Sequence, residues 1–376
     1  MSPDAVVIGG GPAGLATAIA LRRHGVGCLV VDHRSPPIDK ACGEGLMPDA
    51  LTALRDLDVE LPPWSGAPFV GIRFTDGRHT IDGTFPHGPG LGVRRVILHR
   101  ALIEQAGRAG VVLRWGAAAT LAGPGAVQVG PEVVRCRWVV GADGLRSEVR
   151  RRAGLDAARH HESRYAARRH YGRRPWSEFV EIHWSPQGQF YVTPVGPREV
   201  CVVFIARSPD ARLDAALSGC PDLAARLAGV SVTSRSRGAL SVTETLRRVV
   251  APPVALVGDA AGSVDAITGD GLLLAFRQAH ALAAAIAKGR LAPFARAHRR
   301  IMRRPLWMAR LLLTMDRWPE FGRRALPALA RTQTLFRELL AVHVGARPSA
   351  TVLAAEGFRL GCRLLARRGT DDSTVG

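Results

Sequence analysis

Lysine is almost absent from this chain. It occurs only at positions 40 and 288, so nearly all of the 51 basic residues are arginine. A GC-rich coding background spreads arginine and alanine over any surface, and the formal charge of +19 and pI near 11.2 therefore do not require a polyanion site. They leave room for an acidic ligand, a membrane surface or RNA. Paired cysteines are also missing. The six cysteines, at 28, 42, 136, 201, 220 and 362, form no CxxC and have no histidine beside them, so no metal site or disulfide framework is expected and the compartment reads as reducing. No stretch reaches the roughly 18 uninterrupted apolar residues of a spanning helix. "MSPDAVVIGG" has no basic segment ahead of its apolar run. The expectation is a cytoplasmic globular protein, and 376 residues at 47% hydrophobic suffice for one large or two medium domains.

The first thirty residues carry a strong local pattern. "AVVIGGGPAGLATAIALRRHGVGCLVVDHR" (5–34) reads as buried strand, glycine turn, amphipathic helix and second strand. Gly9, Gly11 and Gly14 form G-x-G-x-x-G, with Pro12 and Ala13 completing the turn. Such a turn brings backbone N–H groups and a helix N-terminus against a pyrophosphate. Asp32 ends the second strand about 20 residues on, where a carboxylate accepts from a ribose. Together these predict a dinucleotide site.

Further along, a helix is expected at 95–109 and a buried strand at "RWVVGADG". Between about 160 and 205, alternating aromatic-rich runs such as "EFVEIHW", "GQFYVTPV" and "EVCVVFIA" predict a mostly antiparallel sheet. "PVALVGDA" (253–260) then returns to α/β style. The predicted domains are a discontinuous nucleotide lobe (1–66, 91–155 and 246–290), a β-sheet substrate lobe (67–90 and 156–245) and a C-terminal helical region (291–376). That last region is basic and amphipathic at "RAHRRIMRRPLWMARLLLTMDRW", which suits a packing helix or membrane-surface contact. The final "GTDDSTVG" reads as disordered.

Two more segments narrow the dinucleotide. "GADGLRSEVRR" (141–151) and "LVGDAAGSVDAITGDGLLLAF" (256–276) resemble, in order and spacing, the DG and GD motifs of the para-hydroxybenzoate hydroxylase-like FAD superfamily. The resemblance implies an α/β fold with a glutathione-reductase-like (Rossmann) FAD-binding lobe. It also implies that Asp259 holds the ribityl chain and that Gly271 and Leu272 present backbone N–H groups to the flavin. Arg95, opening "RVILHRAL", resembles the helix start that contacts the FAD phosphates or ribityl, while Arg94 reads as a surface charge. Asp143 reads as shaping the DG turn.

"KACGEGLMP" (40–48) resembles the K-x-C-G-E-G stretch of the geranylgeranyl reductase-like branch, which passes the isoalloxazine ring. By that resemblance Gly43 and Gly45 are small because a flavin lies against them. Cys42 is either a buried apolar thiol or a residue that lines the site or relays a proton; Lys40 is either a surface charge or an anion partner for the cofactor. The sequence departs from the family in two places. Asp265 and Ala266 stand where a proline is usual, and the reductases' P-x-x-Y-x-W-x-F-P appears as "PQGQFYVTP" (186–194), with Gln189, Tyr191 and Thr193 in place of three aromatics. Related halogenases carry W-x-W-x-I-P, and no two of the seven tryptophans have that spacing.

Those departures shape the expected function. Polar groups at 189, 191 and 193 suit a substrate bearing oxygens, so the first expectation is an FAD-dependent monooxygenase acting on an aromatic or phenolic lipophilic molecule of secondary metabolism. Cys42, Gln189 and Tyr191 are its candidate catalytic residues. The alternative is a reductase of C=C bonds in a prenyl or polyketide chain; the non-redox alternative is an FAD-containing RNA-binding protein using "RYAARRHYGRR" (164–174). There is no second G-x-G-x-x-G. NADH or NADPH is therefore expected as a transient reductant, directly or through a separate flavin reductase, and no nucleic-acid partner is expected.

Overall fold

The computed structural model describes residues 2–348; "GTDDSTVG" and Cys362 lie outside the described residues. A six-stranded sheet carries the N-terminal unit. Its order is β18-β19-β12-β1-β2-β8, from β1 (Ala5–Ile8), β2 (Cys28–Asp32), β8 (Val112–Trp115), β12 (Trp138–Gly141), β18 (Val250–Ala251) and β19 (Val254–Leu256). The pairings β1–β2, β1–β12, β2–β8 and β12–β19 are parallel. β1, β2 and β12 are buried along their whole length, which is why they read as apolar runs and not as alternation. Helix α1 (Pro12–Arg23) starts with proline at its first position and is rich in alanine, so it lies close against the sheet and against α7 (Gly271–Ala287).

The second large sheet has seven strands, ordered β17-β13-β16-β15-β14-β5-β6. They are β5 (Gly71–Thr75), β6 (Thr80–Thr84), β13 (Ala158–Tyr171), β14 (Phe179–Ser185), β15 (Gly188–Gly196), β16 (Glu199–Ala206) and β17 (Arg237–Leu246). It is mostly antiparallel as expected, with one parallel pairing, β5–β14, that alternation alone does not reveal. Every residue of β15 is buried because both faces are covered. Phe190 and Val192 pack with Phe204 against α5 (Leu213–Ala216) and α6 (Pro221–Leu227). Tyr191 faces the other way, into a cluster with Val203, Ile205, Phe74 and the C-terminal helices.

Those helices are α8 (Ala292–Arg317), α9 (Pro319–Ala330) and α10 (Gln333–His343). Met302, Pro305, Met308, Ala309 and Met315 of α8 are buried, so its apolar stripe is spent on the protein interior and its arginines line the other side. No helix among the described residues is long and apolar enough to cross a membrane. Two small sheets complete the strands among the described residues: β3 (Gly45–Leu46), β7 (Gly90–Val93) and β4 (Gly66–Phe69) in one, and β9 (Ala119–Gly123), β10 (Ala126–Val129) and β11 (Glu132–Arg135) in the other. The remaining helices are α2 (Pro48–Arg55), α3 (Arg95–Arg108) and α4 (Glu148–Arg152). This is the α/β architecture expected, with a Rossmann-like nucleotide sheet, further sheets and C-terminal helices.

Candidate active site

The glycine turn separates two uses of glycine. Gly9 has φ +114°, and a Cβ there would lie 2.3 Å from the Ala142 carbonyl oxygen; one on Gly14 would lie 1.8 Å from the Gly9 oxygen. Both allow backbone to meet backbone. A Cβ on Gly11 would meet nothing within 4 Å, so that side of the turn is open at the N-terminus of α1. Asp32 is tied into the turn: Oδ2 accepts from Gly10 N at 2.8 Å and Oδ1 from Arg34 N at 2.8 Å. His99 of α3, which the motifs did not flag, braces the same turn. Its Nδ1 accepts from Ile38 N at 3.2 Å, which puts the proton on Nε2 facing the Gly10 carbonyl at 2.8 Å.

The Lys40–Leu46 stretch crosses to the GD segment. Lys40 Nζ donates to Asp259 Oδ2 at 2.9 Å, with both side chains about two-fifths exposed. Burial pushes the Asp259 carboxyl up, but Lys40 and then Arg95 outweigh it and hold it below its ordinary value. Arg95 opens α3 with its Nε buried and without a partner. Arg94 next to it is engaged with Glu199 at 2.8 Å. The two loop glycines differ: a Cβ on Gly43 would meet nothing within 4 Å, whereas one on Gly45 would touch Phe69 and Thr193 at ordinary contact distance. Gly271, at the N-terminus of α7 beside Leu272, is open like Gly11 and Gly43. Three open glycines, two long-helix N-termini and an unpartnered arginine Nε form a cradle that fits FAD. Cys42 is half-buried; its Sγ accepts from Glu44 N at 3.4 Å and its carbonyl accepts from the Cys201 thiol at 3.7 Å. Asp143 accepts from Ser147 Oγ and from the backbone N–H groups of Glu148 and Val149, capping α4.

The face of the seven-stranded sheet toward the C-terminal helices carries the second half of the site. In register, Gln189 lies beside Ile205, Tyr191 beside Val203 and Thr193 beside Cys201, while Arg168 and His170 of β13 follow on the far side of β16. Arg164 is 1% exposed and donates to Asp265 Oδ1 at 3.1 Å and to Gln189 Oε1. Gln189 Nε2 in turn donates to Asp316 of α8, whose other oxygen accepts from Arg207 at 2.9 Å. Within this network Arg164 Nε, Asp265 Oδ2, Trp184 Nε1 and Tyr191 Oη are buried without a hydrogen bond of normal geometry. Burial pushes the Tyr191 phenol well above its ordinary value. Four buried polar atoms in this region lack a hydrogen-bond partner among the described residues. Asp265, where the family has proline, is thus the counter-ion of Arg164.

Sequence reasoning missed Arg164, Arg168, His170, Glu44, Asp270 and Asp316. "RYAARRHYGRR" is no free cationic surface: Arg164 and Arg168 are buried in ion pairs and Arg169 is paired with Asp214. On a strand, positions 164, 168 and 170 share one face, and two arginines and a histidine at that period were the available signal. Asp270, 1% exposed, has neither oxygen hydrogen-bonded, and burial pushes its carboxyl up; His343 of α10 stands 3.9 Å away. Glu44, His170 and Cys201 bring ligand-type atoms within 4.8 Å of one another. Arg168 NH1 lies 3.0 Å from His170 Nδ1 and 3.7 Å from Glu44, so a metal ion there would face a guanidinium cation.

Residues 3–290 match the family described as FAD binding domain. Menaquinone reductase of Mycobacterium tuberculosis is 29% identical over 300 residues, covering 72% of this chain and 73% of that protein. Rifampicin monooxygenase of Streptomyces venezuelae is 32% identical over 166 residues, 40% of this chain and 34% of that protein. The solved structure of the flavin-dependent brominase Bmp2 superposes with a TM-score of 0.79 at 19% identity, covering 98% of this chain and all of that one; at this identity the likeness shows the fold alone.

Proposed function

The chain belongs to the FAD binding domain family, in the para-hydroxybenzoate hydroxylase-like superfamily, and from that premise we propose that it is a monooxygenase hydroxylating an aromatic or phenolic, lipophilic small molecule. It is a flavin-dependent oxidoreductase with FAD as cofactor. The observation that carries the finer reading is the orphaned polar set on the sheet face, Tyr191 Oη, Arg164 Nε, Asp265 Oδ2 and Trp184 Nε1. A hydrocarbon tail would leave these groups unpaired at about 1–3 kcal/mol each, whereas a ring hydroxyl can accept from Tyr191, Arg164 or Trp184 and donate to Asp265.

Reduced FAD supplies the electrons and the activation of dioxygen. The chain's part is binding and orientation. Gly11, Pro12, Ala13, Gly14 and the α1 N-terminus would take the pyrophosphate, Asp32 the ribose, Lys40, Arg95 and Asp259 the ribityl and phosphates, and Gly43, Gly271 and Leu272 the ring. Arg164 and Gln189, locked by Asp265 and Asp316, would fix Tyr191 as the group that orients the substrate oxygen, and α8–α10 would exclude water. NADH or NADPH would serve as transient reductant, directly or through a separate reductase. The overall balance is substrate, dioxygen, nicotinamide hydride and one proton giving hydroxylated substrate, oxidised nicotinamide and water.

Under labelled dioxygen with a reduced nicotinamide and a panel of alkylated phenols, the product should carry one labelled oxygen. A product two hydrogens heavier, formed anaerobically and unlabelled in air, would overturn this in favour of reduction of a C=C bond. That second reading is supported by coverage: the menaquinone reductase match extends over 72% of the chain, the rifampicin monooxygenase match over 40%.

A further inference from the structure

Glu44 has φ +61°, a left-handed backbone that strains any residue with a side chain, although glycine flanks it on both sides. What the side chain does at that position is visible in its contacts. The residue is 2% exposed, and Oε1 accepts from the backbone N–H of Arg95 at 2.9 Å while Oε2 faces His170 Nε2 at 2.6 Å. A carboxylate can only accept, so the proton sits on Nε2 and is donated to Glu44. Nδ1 accepts from Ser234 Oγ at 2.7 Å, and Arg168 NH1 lies 3.0 Å from Nδ1 and 3.4 Å from Nε2. Arg168 NH2 holds Asp39 at 2.7 Å, and Arg237 holds the other Asp39 oxygen at 2.7 Å. The loop is therefore fastened to β13 at Asp39 and Glu44, and Glu44 alone also reaches the first residue of α3.

We propose that Glu44 is a positioning residue for the cofactor. Its carboxylate, oriented by His170 and Arg168, locks the open backbone at Gly43 and the first residue of α3, Arg95, held through its backbone N–H, into one rigid frame that receives FAD. The inference rests on the reading that Gly43 and Arg95 face FAD. A rigid frame raises affinity because neither element must be ordered when the ligand arrives. That requirement explains why a strained glutamate stands where a third glycine would sit more easily.

The test is FAD titration of flavin-stripped protein by fluorescence quenching, alongside thermal unfolding of the same apoprotein. Glu44→Gln keeps an acceptor for Arg95 N but loses the charge, and should weaken FAD about tenfold, the loss of one charge-assisted buried hydrogen bond. Apoprotein unfolding should move little. His170→Leu should weaken FAD comparably, and His170→Gln, which restores a donor near Nε2, should recover most of the affinity. Arg95→Ala separates placement of the cofactor from positioning by Glu44. If it weakens FAD while Glu44→Gln and His170→Leu bind like wild type, the positioning role is wrong and the site stands. If Arg95→Ala itself has no effect, the placement of the cofactor fails. Equal weakening by His170→Leu and His170→Gln, accompanied by a matching fall in apoprotein stability, would reduce Glu44 to a structural ion pair and overturn the proposal.

Discussion

The glycine-turn end and the face of the seven-stranded sheet proposed to take the substrate are built on opposite principles. At the nucleotide end the key contact, Asp32 to Gly10, joins residues 22 apart within one βαβ unit, and the groups offered to the ligand are mainly backbone N–H groups exposed by missing side chains. On the substrate face Arg164 meets Asp265 at a separation of 101 residues and Gln189 meets Asp316 at 127. Side chains carry the contacts there, and each charge is balanced by a partner because the face is buried. The first region tolerates little change in shape; the second tolerates little change in charge.

The sharpest break in that contrast comes from Gly11→Asp. A side chain and a negative charge in the open side of the turn should abolish FAD retention, read as loss of flavin absorbance in protein that still folds. A mutant with full flavin occupancy would show that the turn is not the pyrophosphate site. On the substrate face the expected loss is one of stability. Arg164→Met leaves Asp265 without its buried cation, while Asp316 keeps Arg207, and should cost about 3–5 kcal/mol in denaturant unfolding. The double variant Arg164→Met/Asp265→Asn should cost clearly less than the sum of the single changes; strict additivity would mean the two do not act as a pair.

Acid should find the reverse side of the same sheet. Burial alone would raise the Glu181 carboxyl, but hydrogen bonds from His183 and Trp176 and the charges of His183 and Arg226 take it down to about 2. Because this folded value lies below the unfolded value of 4.5, the stabilisation is full above about pH 4.5 and is lost as pH falls toward 2. The loss is on the order of 3 kcal/mol, and Glu181→Gln should flatten the pH dependence of unfolding across that window. Smallest in stability is Tyr191→Phe, which removes a hydroxyl that has no hydrogen-bond partner and should change unfolding by no more than about 0.5 kcal/mol. It should nevertheless lower the fraction of nicotinamide oxidation that ends in product; intact coupling would remove Tyr191 from substrate orientation.

The contrast also explains what could be read in advance. Gly9, Gly11, Gly14 and Asp32 are legible because spacing in one short segment already determines their geometry. The K-A-C-G-E-G stretch is legible as a loop, but the role of Glu44 within it is not, since nothing local announces that His170 and Arg95 will converge on it. Arg164 and Arg168 were read as possible RNA contacts for the same reason. Their carboxylate partners, Asp265 and Asp39, lie on other segments, and a single sequence does not display pairings across the chain. The parallel β5–β14 pairing is of the same kind.

The order in which the nucleotide sheet is assembled has a consequence for biosynthesis. β12 pairs on one side with β1, near the start of the chain, and on the other with β19, made only after β13 to β17. α7, which covers α1, comes later still. A chain emerging from the ribosome thus displays its glycine turn early, long before the strand and helix that hold it in shape exist. Slow long-range closure of this kind leaves apolar strand edges open in the meantime. Cofactor capture would then be a late event in the life of the nascent chain, and free FAD a ligand that stabilises the newly completed fold by mass action.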